Sequence, residues 1–434
     1  MPRTTVRDRV GLVLGPPTLV AAAVSAAGAS YIGLLTVLSR RGRVASGDLT
    51  RFAIVVPAHD ESATIGATLA SLGRIDYPPQ RVEVIVVADN CSDDTAEVAR
   101  RSSATVIERV DPSARGKGYA LALAFDTILE TRTVDAVVVI DADTIVSTNL
   151  LRAISARIEQ GARAVQVDYR VRNPGASWRT RLLDVAFTCS HLVRGEGRMR
   201  LGASAGLRGN GMAFTTGVLT AVPHRAHSAV EDLEYGIELG RAGVRVEFVS
   251  DAYVAGDMPS GGRDSRSQRT RWELGRAEIR RRTLAPLVRE AAGRRDIVLA
   301  DLALDLATPP LSTLGLTLAG AGAIGCCLPP GRSRRATTLL VMLGSTCLVA
   351  HIAAGVLRSQ SRLKAVPAMM MAPFYAAWKL WLATSSGWKD QRKGETLWTR
   401  TSRSLDAVTA NPLPEPTHPE WLHTADSSHS RRPE

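Results

Sequence analysis

The chain has 434 residues, a formal net charge of +12 and 45% apolar side chains, a length that divides into two or three structural units. Its five cysteines, Cys91, Cys189, Cys326, Cys327 and Cys347, show no Cys-x-x-Cys spacing, so neither a disulfide framework nor a zinc site follows. The excess positive charge suggests nucleic acid only until it is located. Much of it flanks long uncharged stretches, which points to a membrane surface and excludes nucleic acid as the partner.

Residues 10–39 contain no charged side chain, more than the roughly 20 residues that cross a bilayer's hydrocarbon core. Arg3, Arg7 and Arg9 precede them, as in a signal peptide, but the apolar run continues past the Ala-rich sequence around Ser25 where cleavage would occur. A retained anchor is the expectation. Residues 52–57, 82–89, 134–141, 162–168 and 244–249 read as short β-branched strands, and residues 62–73, 93–101 and 118–130 show helical spacing. This alternation predicts an α/β doubly wound sheet. There is no Gly-x-Gly-x-x-Gly after the first strand and no Gly-x-x-x-x-Gly-Lys-Ser/Thr, so dinucleotide and P-loop sites lose their main support.

The strands end in acids instead. The first runs into His59-Asp60-Glu61 and the second into Asp89-Asn90. Glu61 and Asp89 are candidates for holding a nucleoside through a base N–H or ribose hydroxyls; helix capping around Ser62 and Asp93 is the alternative. Arg115-Gly116-Lys117-Gly118 opens a helix, where positive side chains and free amides suit a diphosphate, and Lys117 is the candidate ligand. Val137 to Ile140 then deliver Asp141-Ala142-Asp143 at a strand's carboxyl end, where α/β sheets keep their chemistry. Asp141 and Asp143 can converge on one hard cation, Mg2+ or Mn2+, which brings substrate phosphates with it. A solvated loop is the alternative. Gly202 to Gly206 match Gly-x-Ser-x-Gly, but no strand leads into them and the match is read as chance. Asp232 precedes a helical pattern, where an acid complements the helix dipole.

Seven arginines lie between Arg276 and Arg295, which predicts a basic helix against an anionic cytoplasmic leaflet. Uncharged residues 306–331 and 336–357 are two further candidate spans. Residues 365–378, with Trp378, Trp381 and Trp388 at their far end, suggest an interfacial helix or a tilted span. From Asn411 onward the chain is polar and Pro-rich, with little to bury.

Taken together, Val55 to Glu61, Asp89, Arg115-Gly116-Lys117-Gly118, Asp141-Ala142-Asp143, Gly209-Asn210-Gly211, Glu231-Asp232 and Gln268-Arg269-Thr270-Arg271-Trp272 resemble the membrane-bound family 2 glycosyltransferases, the group of the cellulose and hyaluronan synthases. Val230 and Asn90 depart from that pattern. The resemblance implies a GT-A-like sheet that binds a nucleotide sugar, flanked by transmembrane and interfacial helices. It implies Asp232 as general base, with inversion at the anomeric carbon, and Gln268, Arg269, Arg271 and Trp272 as ligands of donor phosphate or acceptor sugar. The alternative for that last set is an interfacial helix anchored by Trp272.

The expected layout is an anchor at 1–45, a cytoplasmic transferase domain at 46–275, a basic interfacial region at 276–300, membrane helices at 301–385 and a basic, partly disordered cytoplasmic tail at 386–434. The expected partners are a nucleotide-sugar donor, a lipid-linked or glycan acceptor and membrane lipids, with oligomers or polysaccharide-export partners as a further option. A processive synthase that extrudes its product is the alternative enzyme. A catalytically silent membrane scaffold is the non-enzyme reading.

Overall fold

The computed structural model describes residues 6–42, 46–131 and 133–375, with side chains omitted for 6–12 and 262–271. Trp378, Trp381, Trp388 and the tail lie outside the described residues, as do the side chains of Gln268, Arg269 and Arg271.

In chain order the elements are α1 (Val6–Leu38), β1 (Phe52–Ala58), α2 (Ile65–Leu72), β2 (Val82–Asp89), α3 (Thr95–Arg101), β3 (Thr105–Arg109), α4 (Lys117–Thr131) and β4 (Ala136–Val139). Then come β5 (Thr144–Val146), α5 (Leu150–Glu159), β6 (Ala164–Val171), α6 (Trp178–Phe187), a π-helical turn at Thr188–Val193, α7 (Arg194–Arg200), β7 (Met212–Thr215), α8 (Thr216–Ala221), α9 (Glu231–Arg241) and β8 (Val246–Gly256). The chain continues as α10 (Gly262–Arg294), α11 (Ile297–Ala307), α12 (Leu311–Cys327), α13 (Arg332–Arg358) and α14 (Val366–Met369).

The strands form one eight-stranded sheet in the order β3-β2-β1-β4-β7-β6-β8-β5. β3, β2, β1 and β4 are parallel, whereas β7 runs antiparallel to both β4 and β6. The doubly wound expectation therefore describes the first half of the sheet, and the second half is mixed. Strand alternation divides the core in two. Phe52, Ile54 and Val56 of β1 pack under α2 and α5, while Ala53 and Val55 face Leu121 and Phe125 of α4 and Tyr235 and Leu239 of α9. β3, β5 and β7, which sequence reading missed, have only three to five residues each, too short for period-2 alternation to register.

Beside this domain α1, α12 and α13 pack together through Ala29, Ile32, Leu35, Leu314, Leu318 and Leu348. Among the described residues two helices, α1 and α13, are long and apolar enough to cross a membrane, and the count rises to three if the bent pair α11 and α12 is one span. The uncharged stretch 306–331 is thus part of a bent pair rather than one continuous helix. Pro309 and Pro310 interrupt it, the two helices meet at 66°, and α12 has 17 residues, about 25 Å against the roughly 30 Å of a hydrocarbon core. The basic run lies on α10, a 33-residue helix. Its apolar stripe, Ile279, Leu287 and Ala291, packs with Ile237 of α9 and Leu299 and Leu302 of α11, leaving Arg280, Arg281, Arg282, Arg289, Arg294 and Arg295 exposed.

Candidate active site

Parallel pairing brings the carboxyl ends of β1, β2 and β4 side by side, and their acids meet different partners. Asp89, the last residue of β2, is fully buried. Its Oδ1 accepts hydrogen bonds from Arg109 Nη1 at 2.7 Å and Asn90 Nδ2 at 2.9 Å. Its Oδ2 has no hydrogen-bond partner among the described residues, so one buried acceptor remains available at the strand end. Arg109 ends β3, in register with Asp89. Its guanidinium also lies 5.5 Å from the centroid of the Tyr119 ring, which stacks on His227 at 3.9 Å. Sequence reading gave no signal for Arg109, because the short strand that places it was not recognised.

Lys117 begins α4 and is the hub of the next group. Its Nζ donates to Asp141 Oδ1 at 2.5 Å and to the Gly209 carbonyl, and it sits 3.8 Å from Glu231 Oε1. α4 approaches closely because residue 118 is glycine; a Cβ there would collide with the Ala226 carbonyl. The loop opposite is fixed by two buried amides. Asn210 Oδ1 accepts from the Asp141 amide at 3.2 Å, and its Nδ2 donates to Thr144 Oγ1 at 2.7 Å. Gln166 Nε2 donates to the Asn210 carbonyl at 2.7 Å, and Gln166 Oε1 accepts from the Arg208 amide at 2.8 Å. Gly211 has φ 68° and faces Val167 and Val254, so any side chain there would be both strained and obstructed. Buried amides with their partners satisfied specify one arrangement; here they hold the Asp141 turn against the 208–211 loop.

Glu231 and Asp232 occupy the first turn of α9. A Cβ on Gly209 would lie 3.5 Å from Asp232 Oδ2 and 3.8 Å from Lys117 Nζ, which locates the Asp232 carboxylate beside the lysine. Burial raises both carboxyls above their ordinary range. The positive charge of Lys117 opposes the rise at each, and Arg208 opposes it at Asp232 as well. Arg208 is itself buried, which pushes its guanidinium down to about 10; it remains a cation at neutral pH. Two cations thus face a desolvated pair of acids. Asp143 is half-buried at the β4–β5 turn, and its Oδ1 lies 3.4 Å from Thr144 Oγ1.

The structure therefore gathers Lys117, Asp141, Glu231 and Asp232, with Asp89 and Arg109 at the adjoining strand ends. Glu61 is engaged locally, since its Oε2 accepts from Thr64 Oγ1 at 2.6 Å and its carbonyl accepts from the Thr64 and Ile65 amides that open α2. Trp272 is half-buried and packs with Val171, Phe187 and Met258. Among the described residues the acidic group with metal-ligand proximity is Asp60, Cys91 and Asp93, within 4.8 Å of one another. Its acids serve local turns: Asp93 accepts from the Ser62 amide at 3.1 Å and the Thr95 amide at 3.0 Å, and Asp60 accepts from the Ser92 amide at 2.6 Å. The Gly-x-Ser-x-Gly match is also structural. Ser204 is fully buried, and its Oγ accepts from the Val246 amide at 3.1 Å.

Residues 50–275 match the family model described as "Glycosyltransferase like family 2". Among curated proteins, the chain is 26% identical over 237 residues to the probable glycosyltransferase YdaM of Bacillus subtilis, covering 52% of this chain and 56% of that protein. It is 29% identical over 199 residues to the beta-monoglucosyldiacylglycerol synthase of Synechocystis, covering 43% and 39%. The matched region thus spans about half the length of these relatives or less. Among solved structures, the mannosyltransferase PcManGT from Pyrobaculum calidifontis is 19% identical, with a TM-score of 0.45 over 87% of this chain and 99% of that one. The family match covers more than half of the sequence, including every strand of the sheet and the acids at their ends, and the chain belongs to the glycosyltransferase-like family 2.

Proposed function

We propose that the chain transfers a sugar from a nucleotide-sugar donor to a lipid-linked or glycan acceptor at the cytoplasmic face of a membrane, with inversion at the anomeric carbon. The observation that carries this reading is the convergence of Lys117, Asp141, Glu231 and Asp232 at the carboxyl edge of the parallel strands, inside the family-matched region. Asp89, with its spare buried oxygen, is the acceptor for a base N–H, and Glu61 lies at the neighbouring strand end for the nucleoside. Lys117 places a cation where the diphosphate departs, at the start of a helix whose amides favour anions. Asp232 takes the proton from the attacking hydroxyl. Its raised pKa suits a base that must accept a proton and later release it. Gln268, Arg269, Arg271 and Trp272 belong to the start of α10, which follows β8 on the same domain, and are proposed ligands of the donor phosphate or acceptor.

The donors at the end of β4 fit a hard divalent cation, since Asp141 and Asp143 offer carboxylate oxygens on one half-buried turn, with Lys117 on Asp141 Oδ1. These two residues would hold Mg2+ or Mn2+, which when bound supplies charge neutralisation for the leaving diphosphate. α1 and α13 are proposed as spans, with the transferase domain, the basic face of α10 and the tail from residue 386 on the cytoplasmic side. A membrane acceptor accords with the glycolipid, monoglucosyldiacylglycerol, in the name of the Synechocystis relative.

The test is to incubate the detergent-purified full chain with a panel of nucleotide sugars and Mg2+ or Mn2+. One donor is expected to release nucleoside diphosphate, with the signal lost on chelation. Binding of a donor without release from any member of the panel would favour the silent scaffold instead. Sidedness is checked by Ser113→Cys in a cysteine-depleted background. That site should resist an impermeant thiol reagent in intact cells and react after permeabilisation.

A further inference from the structure

α11 is apolar on two faces, burying Leu299, Leu302 and Leu306 and exposing a second aliphatic strip. Its inward face carries Asp301 and Asp305, both buried. Asp301 accepts from Tyr31 Oη at 2.8 Å and from Arg198 Nε at 2.6 Å, while Asp305 pairs with Arg194 and lies 3.5 Å from Arg276 Nη2. Its outward face carries Ile297, Ala300 and Leu304, with Ile297 61% and Leu304 43% exposed. A helix whose buried face takes both its carboxylates and Leu299, Leu302 and Leu306, while its exposed face is aliphatic as well, is matched to an apolar surrounding on its outer side. Across from it α10 exposes Val288 and Ala292, and the two helices enclose a groove of about 660 Å³. The groove ends at Arg295, which is exposed and makes no ion pair among the described residues. Asp296, next to it, is occupied in capping α11 through the amides of Val298 and Leu299. After three residues α11 continues into the apolar helix α12.

We infer that this groove binds one anionic phospholipid of the surrounding bilayer, with an acyl chain along Val288, Ala292, Ile297, Ala300 and Leu304 and the phosphate on Arg295. The 11 residues of α11 extend for about 16 Å, half of a roughly 30 Å hydrocarbon core and hence the reach of one leaflet. Continuity with α12 and the unpaired cation at the groove's end select a lipid over a soluble peptide or a second copy of the chain. The inference rests on the membrane seating proposed above and is independent of the sugar chemistry.

The experiment uses the full chain in detergent, titrated with phosphatidylglycerol or phosphatidylcholine and followed by native mass spectrometry. One phosphatidylglycerol per chain is expected, bound about 5-fold more tightly than phosphatidylcholine, the effect of one basic residue near an anionic headgroup. Arg295→Asn keeps a residue suited to the left-handed φ of 52° found there and should abolish that preference. Ala300→Trp should fill the groove and displace both lipids. Equal binding of the two lipids by the wild type would overturn the inference. So would wild-type retention by a folded Ala300→Trp, or a lipid-free dimer that Ala300→Trp splits. If the tryptophan variant does not fold, Arg295→Asn decides by itself, and an unchanged preference refutes the site. Failure of the wild-type chain to float with phosphatidylglycerol vesicles would overturn the membrane seating as well, whereas flotation without a stoichiometric lipid overturns the groove alone.

Discussion

Two acidic clusters lie at the carboxyl edge of the same sheet, and they use their charges in opposite ways. Asp60 and Asp93 sit with Cys91 close enough to suggest a metal site, yet their oxygens are taken up by the amides of Ser62, Ser92 and Thr95. Burial alone would raise the Asp93 carboxyl, and the hydrogen bonds from Thr95 and Ser62 outweigh it, so that its pKa is lowered. Glu231 and Asp232 are raised by burial despite the lysine beside them. Proximity of acids is therefore a poor guide to chemistry. What distinguishes the second cluster is that burial outweighs the lysine and the hydrogen bonds around its carboxyls, the condition under which acids at functional sites are often found.

The strongest way to break this contrast is at Asp143. Asp143→Asn removes charge from the proposed cation site with little change of shape, and turnover should fall below detection together with the metal dependence of donor binding, measured by calorimetry with and without Mn2+. Wild-type turnover would sink the metal assignment. Asp232→Asn should instead spare donor affinity while transfer drops by roughly two to four orders of magnitude, the usual contribution of a general base. Donor binding lost in parallel would make Asp232 a ligand or a structural acid.

Arg109→Gln comes next. It strands the buried Asp89 carboxylate, and breaking such a pair by removing one partner costs on the order of 3–5 kcal/mol. Denaturant unfolding should show a loss of that size, with donor affinity reduced because Asp89 no longer holds its orientation. A loss below about 1 kcal/mol would mean that Asp89 is solvated rather than sealed at the strand end.

Asp89 and Asp141 were legible in the sequence because each follows a strand with four or more β-branched residues, and Lys117 because it opens the next helix; Glu231 and Asp232, at the start of α9, stood out only through the family resemblance. The partners of these groups carried no such signal. Arg109 depends on a five-residue strand with no fully buried residue, and Gln166 acts through buried amide bonds that leave no periodic trace, as does Asn210, which stood out only within its family motif. The bend near residue 309 was hidden for a related reason, since a run without charges reports hydrophobicity and says nothing of the two prolines that bend it. Asp301 and Asp305 complete the point: acids on an apolar helix read as interruptions until Arg194 and Arg198, more than a hundred residues earlier in the chain, are seen beside them.

The smallest effect is also the most direct measure of the contrast between the clusters, because it depends only on the sign of each shift. Asp93 has a lowered pKa, so the stability it contributes is present above the ordinary carboxylate range and disappears as pH falls through its folded value. Removing its hydrogen bonds with Asp93→Ala should destabilise the domain by about 1 kcal/mol at neutral pH, the usual worth of such a turn or cap acceptor, with kcat and the metal requirement unchanged. That penalty should shrink below about pH 4, where the unfolded carboxyl takes up its proton. Glu231 is the reverse case: its pKa is raised, so its contribution is full below the ordinary carboxylate range and is lost as pH rises through the folded value. Glu231→Gln, which cannot ionise, should therefore gain stability relative to the wild type as pH rises. Paired urea titrations at acid and neutral pH read both slopes. Equal signs at the two positions would mean that both clusters are ordinary capping acids, and the distinction on which the active-site reading rests would be gone.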